Sequence, residues 1–446
     1  MAFYNNPYIT KIIIPEGVMY IMRAGIYGCD NLKEVQLPST LEQIQTFGIA
    51  WNPSLETVKG LNNVSVIGSR AFIYDTSLEL GYNGTDAGGV ENGEYDLAHT
   101  TYIGNMAFYG CESITSVDLS KVGVVAESAF AYCTGLTRLV IPANTTLGMT
   151  AFAYCTSLEE VVIHSRNIGI GAFAFCTALD SVVFTGDVRA IGAEAFYGCT
   201  ALTDLRFLGT VYEIGDRAFV HCSSLTSVTL PAGLEVLGSQ PFLGTSITQV
   251  TISKDARITQ TGLAAFYGMP VTAYNVEEGN KYFSSDSGIL YDKTGYKLIA
   301  YPIGRTILSG TFVIPDSVTI IGANAFAGYS PGGQSINRFT IDLNNVEVIE
   351  DYAFFGVGGL YVNAGGFTSD FSVTGWENVR VIGNGAFEQS YLTQFPSNAE
   401  NLTSIGDYAF ANTALMGGEV TLPDSLTDLG EGVFMYNGYV SVTDDS

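Results

Sequence analysis

The chain has 446 residues, 47% of them hydrophobic and only 14% charged, so it can fill a large core with mostly apolar or uncharged side chains. Forty-four acidic residues against 19 basic ones leave a net charge of −25, a field that repels nucleic-acid phosphates and anionic lipid headgroups. No run approaches the about 18 apolar residues that a membrane-spanning helix needs, so neither a nucleic-acid partner nor direct membrane insertion is expected.

Residues 1–10 contain no basic segment followed by an apolar one, the mark of a signal peptide. Ile9 to Pro15 already match the strand half of a unit that recurs down the chain. The sequence therefore opens in mid-repeat and reads as a fragment, or a processed form, of something longer. From Ile103 the unit is plain: Ile103-Gly104-Asn105-Met106-Ala107-Phe108-Tyr109-Gly110-Cys111 returns as Ile191 to Cys199 and as Ile214 to Cys222. Its anchor aromatic falls at Phe72, Phe108, Phe130, Phe152, Phe173, Phe196, Phe219, Phe242, Phe266, Phe326, Phe354, Phe387, Phe410 and Phe434, with Ile26 and Ile49 in the same place earlier. Between Phe108 and Phe266 the gaps are 22, 22, 21, 23, 23, 23 and 24 residues. A period of this length is the signature of a solenoid, here of sixteen coils spanning 1–446.

Each unit carries two patterns. Ile103, Ala107, Phe108, Cys111 and Ile114 recur at steps of three and four, the spacing of one helix face. The half that follows, as in Leu225 to Leu230, alternates with period two, which is a strand. Prolines at 38, 142, 231, 315 and 423 end strands because they cannot donate to the ladder. Stacked units are expected to form an α/β repeat solenoid: one parallel sheet, a wall of short helical turns opposite, and a core between.

Insertions break the register. Residues 81–102 and 356–376 read as loop excursions, and 329–335 as a smaller one. Between Phe266 and Phe326, the segments Ile289-Leu290-Tyr291 and Lys297 to Tyr301 flank the turn-forming Asp292-Lys293-Thr294-Gly295. This predicts a β-hairpin within 276–312, protruding from the stack, or else a coil extension packed on its neighbours. Tyr282, Tyr291 and Tyr296 would give a protruding hairpin an aromatic surface.

The pattern Leu-x-x-Val-x-Leu-Pro, then Leu-x-x-Ile-Gly-x-x-Ala-Phe-x-x-Cys, resembles the BspA-like class of leucine-rich repeat over essentially the whole chain. The resemblance implies a right-handed superhelical solenoid, often displayed on the surface of bacteria and some protists, with adhesion or host-molecule binding as the commonly proposed role.

Candidate chemistry is sparse. Cys29, Cys111, Cys133, Cys155, Cys176, Cys199 and Cys222 all stand three residues after the anchor, so their spacing is the repeat period and not that of a zinc site. A buried file of free thiols is expected, with no metal and no cofactor. His99, His164 and His221 have no nucleophile beside them. The acidic pairs Glu277-Glu278 and Asp444-Asp445 read as solvated charge, and calcium on loop acids is left open.

The outward strand positions are free of packing duty, and most are short and polar. Val140, Val162 and Val183 depart from that on three successive rungs, ringed by Arg138, Glu160, Ser181, Asp204, Arg206 and His164. An apolar stripe with a charged rim suits a protein-binding patch; β-branched residues that simply favour strands are the alternative. The sequence therefore points away from catalysis, to a monomeric, extracellular or cell-surface module that binds a protein or glycan ligand through the strand face or the hairpin. A structural spacer within a larger surface protein is the competing reading, and a cytoplasmic location the alternative one. A glycan binder should cluster exposed aromatics on one face.

Overall fold

The computed structural model describes residues 2–80, 97–261, 265–305, 310–329, 339–358, 371–396, 398–415 and 420–437. The chain divides into two compact units, residues 1–246 with 258–262 and residues 247–257 with 263–446. Each is a stack of coils built almost wholly from short parallel strands and turns.

In the first unit the anticipated strand half forms one side of the coil. Lys11–Ile13, Glu34–Gln36 and Thr57–Lys59 make one parallel ladder, and Arg138–Ile141, Glu160–Ile163, Ser181–Phe184 and Asp204–Phe207 make another. The single sheet of the expectation is replaced by several. The Ile of the Ile-Gly pair, read above as the start of a helix, instead closes a second ladder through Tyr20–Ile21, Gln43–Ile44, Val66–Ile67, Tyr102–Ile103, Val124–Val125 and Thr146–Leu147. Asn167–Ile168, Val188–Ile191, Val211–Ile214, Val236–Leu237 and Gln260–Thr261 make a further one.

The wall opposite is not helical; the only helical elements among the described residues are two single 3₁₀ turns, Leu61–Asn63 and Trp376–Asn378. In the first unit the coils from Ile26 to Phe242 each have two left-handed residues four apart on this wall, as at Ser128 (φ 53°) and Tyr132 (61°), Thr150 (52°) and Tyr154 (62°), and Arg217 (55°) and His221 (61°). A helix cannot accommodate that alternation. It turns every second amide along the stack, so that Ser128, Phe130 and Tyr132 donate to the carbonyls of Met149, Ala151 and Ala153 at 2.9, 2.8 and 2.9 Å, while Ala131 and Cys133 close tight turns on Ser128 and Phe130. The three-and-four spacing marks inward corners of consecutive turns, which mimic a helix face in sequence.

The core is an aromatic file. Phe72, Phe108, Phe130, Phe152, Phe173, Phe196, Phe219 and Phe242 are fully buried, with successive rings 4.9–5.6 Å apart and within 10° of parallel. Phe3 pairs in register with Ile26, so Ala2-Phe3-Tyr4 is the same wall segment one coil earlier, a signal the repeat pattern contained and the anchor list missed.

In the second unit Tyr301, Phe326, Phe354, Phe387, Phe410 and Phe434 form the corresponding file. Phe266 stands apart from it, half-buried and edge-on to Tyr274. Ile289–Asp292 pairs antiparallel with both Phe283–Asp286 and Lys297–Ala300, and Lys297–Ala300 continues parallel into Ile320–Ile321. The hairpin therefore does not protrude. Ile289, Leu290, Tyr291 and Leu298 are buried because its strands are rungs of the unit's own sheet. Of the three tyrosines, Tyr282 and Tyr296 are exposed and Tyr291 is not. Most of the insertions at 81–102 and 356–376, and of 329–335, lies outside the described residues; Thr100, within the first, is buried and donates its hydroxyl to the Val64 carbonyl at 2.8 Å.

Candidate binding surfaces

The strand face brings the proposed residues together in the expected register. Arg138, Glu160, Ser181 and Asp204 align across four strands, and Val140, Val162, Val183 and Arg206 align two residues on. Exposure falls along the valine row from 52% at Val140, through half-buried Val162, to 7% at Val183, so Val183 faces outward but offers almost no surface. The stripe is smaller than its sequence implied, since Val183, the rung between Val162 and Arg206, is nearly covered. Arg138 is tied to Glu160 at 2.7 Å and Arg206 to Asp204 at 2.9 Å, and the Ser181 hydroxyl donates to Asp204 at 3.2 Å. These exposed pairs hold the arginines with about 0–1 kcal/mol each, so a partner's carboxylate could exchange for them. His164 stands exposed beyond the stripe and shares a hydrogen bond with Thr185. A shallow depression between Arg138, Glu159, Glu160, Asp180 and Ser181 borders the patch.

The seven cysteines are buried and unbonded. Each thiol from Cys111 to Cys222 donates to the anchor carbonyl of the preceding coil: Cys111 to Phe72 at 3.0 Å, Cys133 to Phe108 at 3.2 Å, Cys199 to Phe173 at 3.2 Å. Burial is the main cause that pushes the Cys111, Cys133, Cys155 and Cys199 thiols up, away from the reactive thiolate. No cluster of three or more metal-ligating side chains occurs among the described residues.

A second surface was not foreseen. On the outside of the turn wall Trp51, Tyr74, Tyr109, Tyr132, Tyr154, Phe175, Tyr197 and His221 follow one another with ring centroids 4.7, 5.5, 5.1, 4.5, 4.8, 5.2 and 5.4 Å apart. This ridge runs parallel to the buried phenylalanine file, over eight consecutive coils. Two arrangements build it. Tyr74, Tyr132, Tyr154 and Phe175 are themselves left-handed at φ 58–62°, a conformation that costs a non-glycine residue roughly 1–2 kcal/mol. In the coils of Tyr109 and Tyr197 the left-handed position is Gly110 or Gly198, where an added Cβ would lie 2.8 or 2.9 Å from the Tyr74 or Phe175 ring. The sequence signal was the exchange of Tyr-Gly-Cys for Ala-Tyr-Cys between coils, which moves the aromatic by one residue and keeps one ring per rung. Trp51, Tyr74, Tyr132 and Phe175 remain 36–44% exposed. Burial, and then the neighbouring Tyr74 and Tyr132, lift the Tyr109 hydroxyl to about 12.

Short stacked strands, a turn wall and repeat-period inward residues define a leucine-rich-repeat protein. The chain belongs to the BspA-type leucine-rich-repeat family, whose repeat region matches residues 1–80, 97–170, 166–287 and 308–441. Among solved structures it is similar to a leucine-rich repeat protein of Bacteroides ovatus (19% identity, 96% of this chain and 84% of that one, TM-score 0.47). It is also similar to one from Eubacterium ventriosum (20%, 73% and 93%, 0.46) and to a leucine-rich cell surface protein of Faecalibacterium prausnitzii (23%, 66% and 87%, 0.37). No curated protein matches it.

Proposed function

We propose that the chain is a binding module of the cell surface, engaging a protein or glycan through the strand face around Arg138, Val140, Glu160 and Val162. The observation that carries this is the in-register pairing of Val140 with Val162, flanked by Arg138–Glu160 on one side and Asp204–Arg206 on the other. Apolar surface at rungs with no core to fill, next to charges held only by weak pairs, is what a partner of complementary charge can desolvate. Membership of a family often displayed on cell surfaces supports that location. No helix among the described residues is long and apolar enough to cross a membrane. A spacer role remains the second reading, favoured by the short polar residues that fill most other outward strand positions.

The test is to screen the protein against extracellular-matrix proteins and a glycan array, then repeat with Val140→Thr/Val162→Thr. Threonine keeps strand propensity, and Val183 is left alone because it is buried. Binding weakened on the order of tenfold is expected from the lost apolar burial. A bound partner indifferent to these changes removes the strand face from the reading; no partner at all leaves the spacer.

A further inference from the structure

The aromatic ridge lies on a different side of the coil from the strand face and has no part in the reading above. We infer that it is a track for an uncharged glycan chain laid along the stack. Three observations converge on that ligand.

The first is charge. On a protein of net charge −25, the ridge from Tyr132 to Phe175 is bordered by neutral side chains, and charge returns only at Tyr197, where Glu194 and Arg217 pair at 3.2 Å and Arg217 lies 5.4 Å over the ring. The residue two beyond each ring in the coils of Tyr132, Tyr154 and Phe175 is Thr134, Thr156 or Thr177. The borders on the other side are Ser128, Thr150 and Gly171, the left-handed residues four before those rings. Over these three coils the bordering positions carry no charge, which suits a ligand without charge of its own. The second is presentation. Tyr132, Tyr154 and Phe175 stack within 14° of parallel, so they cover one another's faces and turn their edges outward. Ring edges carry the positive end of the quadrupole and favour oxygen atoms. With the hydroxyls of Tyr132 and Tyr154 and the flanking threonines, the strip offers rows of donors and acceptors to a polyhydroxylated chain. The third is period. One ring every 4.5–5.5 Å repeats at about the length of one sugar residue in an extended glycan, so successive sugars meet equivalent groups. Multiple weak contacts along one track then add up through effective concentration.

The experiment is native gel electrophoresis of the whole chain through galactomannan, xyloglucan, hydroxyethylcellulose or yeast mannan, with polygalacturonate as the anionic control. At least one neutral polymer should retard the protein and polygalacturonate should not. Tyr132→Asn/Tyr154→Asn removes two rings with a residue that the left-handed position accepts, as Asn412 does at the same place in a later coil. Tyr132→Phe/Tyr154→Phe keeps the stack, as Phe175 does, and removes only hydroxyls. Retardation should fall on the order of tenfold in either variant, with unfolding temperature confirming the fold, and stay unchanged in Val140→Thr/Val162→Thr. The proposal is overturned if no neutral polysaccharide retards the parent, or if folded ridge variants are retarded as strongly as it is. It is equally overturned if the ridge variants abolish capture of a protein while no polysaccharide binds, which would make the ridge a protein-docking surface.

Discussion

The residue three places after each anchor shows what one position must do in a solenoid. In coils such as those of Cys111 and Cys133 its amide closes a turn on its own anchor carbonyl, while elsewhere it donates to the side chain at the same place in the next coil: Cys29 to Asn52 Oδ1 at 3.0 Å, Asn52 to Asp75 Oδ1 at 2.6 Å, and Thr413 to Asn437 Oδ1 at 2.8 Å. A thiol at this place instead donates its own proton backward to the preceding anchor carbonyl, so the file is a hydrogen-bonding device. Native protein should therefore expose no thiol to alkylation and seven after denaturation without reductant; a lower denatured count would mean bonded sulfur. Asp75 fits less well. It is fully buried, its Oδ2 has no hydrogen-bond partner, and burial raises it well above the ordinary carboxylate range, against the opposing bonds from Asn52. The folded state thus holds a proton that the unfolded chain releases once pH exceeds the usual Asp range. Its contribution to stability is full below that range and is lost as pH rises through it toward the folded value. Asp75→Asn keeps the acceptor for Asn52 and cannot ionise. It should raise the unfolding temperature more at about pH 8 than at about pH 4; an equal or reversed gain would show that Asp75 is not carried protonated.

Among elements, the strand half and the anchor file were legible because period-two alternation and a strict aromatic repeat have one structural meaning each. The wall was misread because Ile103, Ala107, Phe108 and Cys111 face inward from successive turns at the spacing that a helix would use. What distinguishes the two is backbone handedness, written only in unobtrusive substitutions such as Gly110 for Tyr132 and Gly171 for Thr150. The stripe at Val140 and Val162 was legible, while the shielding of Val183 depends on its rung neighbours, and the ridge was hidden because its ring shifts by one residue between coils. Packing gives the clearest test of the assignment. Phe196 lies between Phe173 and Phe219 at 5.3 and 5.2 Å with no exposed surface, so Phe196→Ala should destabilise by about 3–5 kcal/mol in denaturant titration. Amide exchange should quicken first in the adjoining coils, since each contacts only its neighbours; a loss under about 1 kcal/mol would mean the file is not the core.

For the whole molecule the dominant long-range term is charge. Most ion pairs among the described residues are exposed, as in Lys33–Glu56 at 3.1 Å and Arg138–Glu160 at 2.7 Å, and exposed pairs add about 0–1 kcal/mol each. Glu34, held between Lys11 and Lys59 at 3.1 and 3.0 Å and lowered by those bonds, is the best supported, but local pairs of this kind cannot offset an excess of 25 negative charges. Self-repulsion works against the folded state more than the expanded one. Salt shortens its reach from about 30 Å at 0.01 M to below 8 Å above physiological ionic strength. Raising sodium chloride from about 0.01 M to about 0.5 M should therefore raise the unfolding temperature by a few degrees, where about 1 kcal/mol corresponds to roughly 2–4 °C for units of this size. Calorimetry at fixed pH checks it, with potassium chloride as the control for a specific ion effect. A midpoint that falls with salt would mean that the paired charges outweigh the repulsion between the rest, and the acidity of this solenoid would then owe nothing to tolerance of a destabilising field.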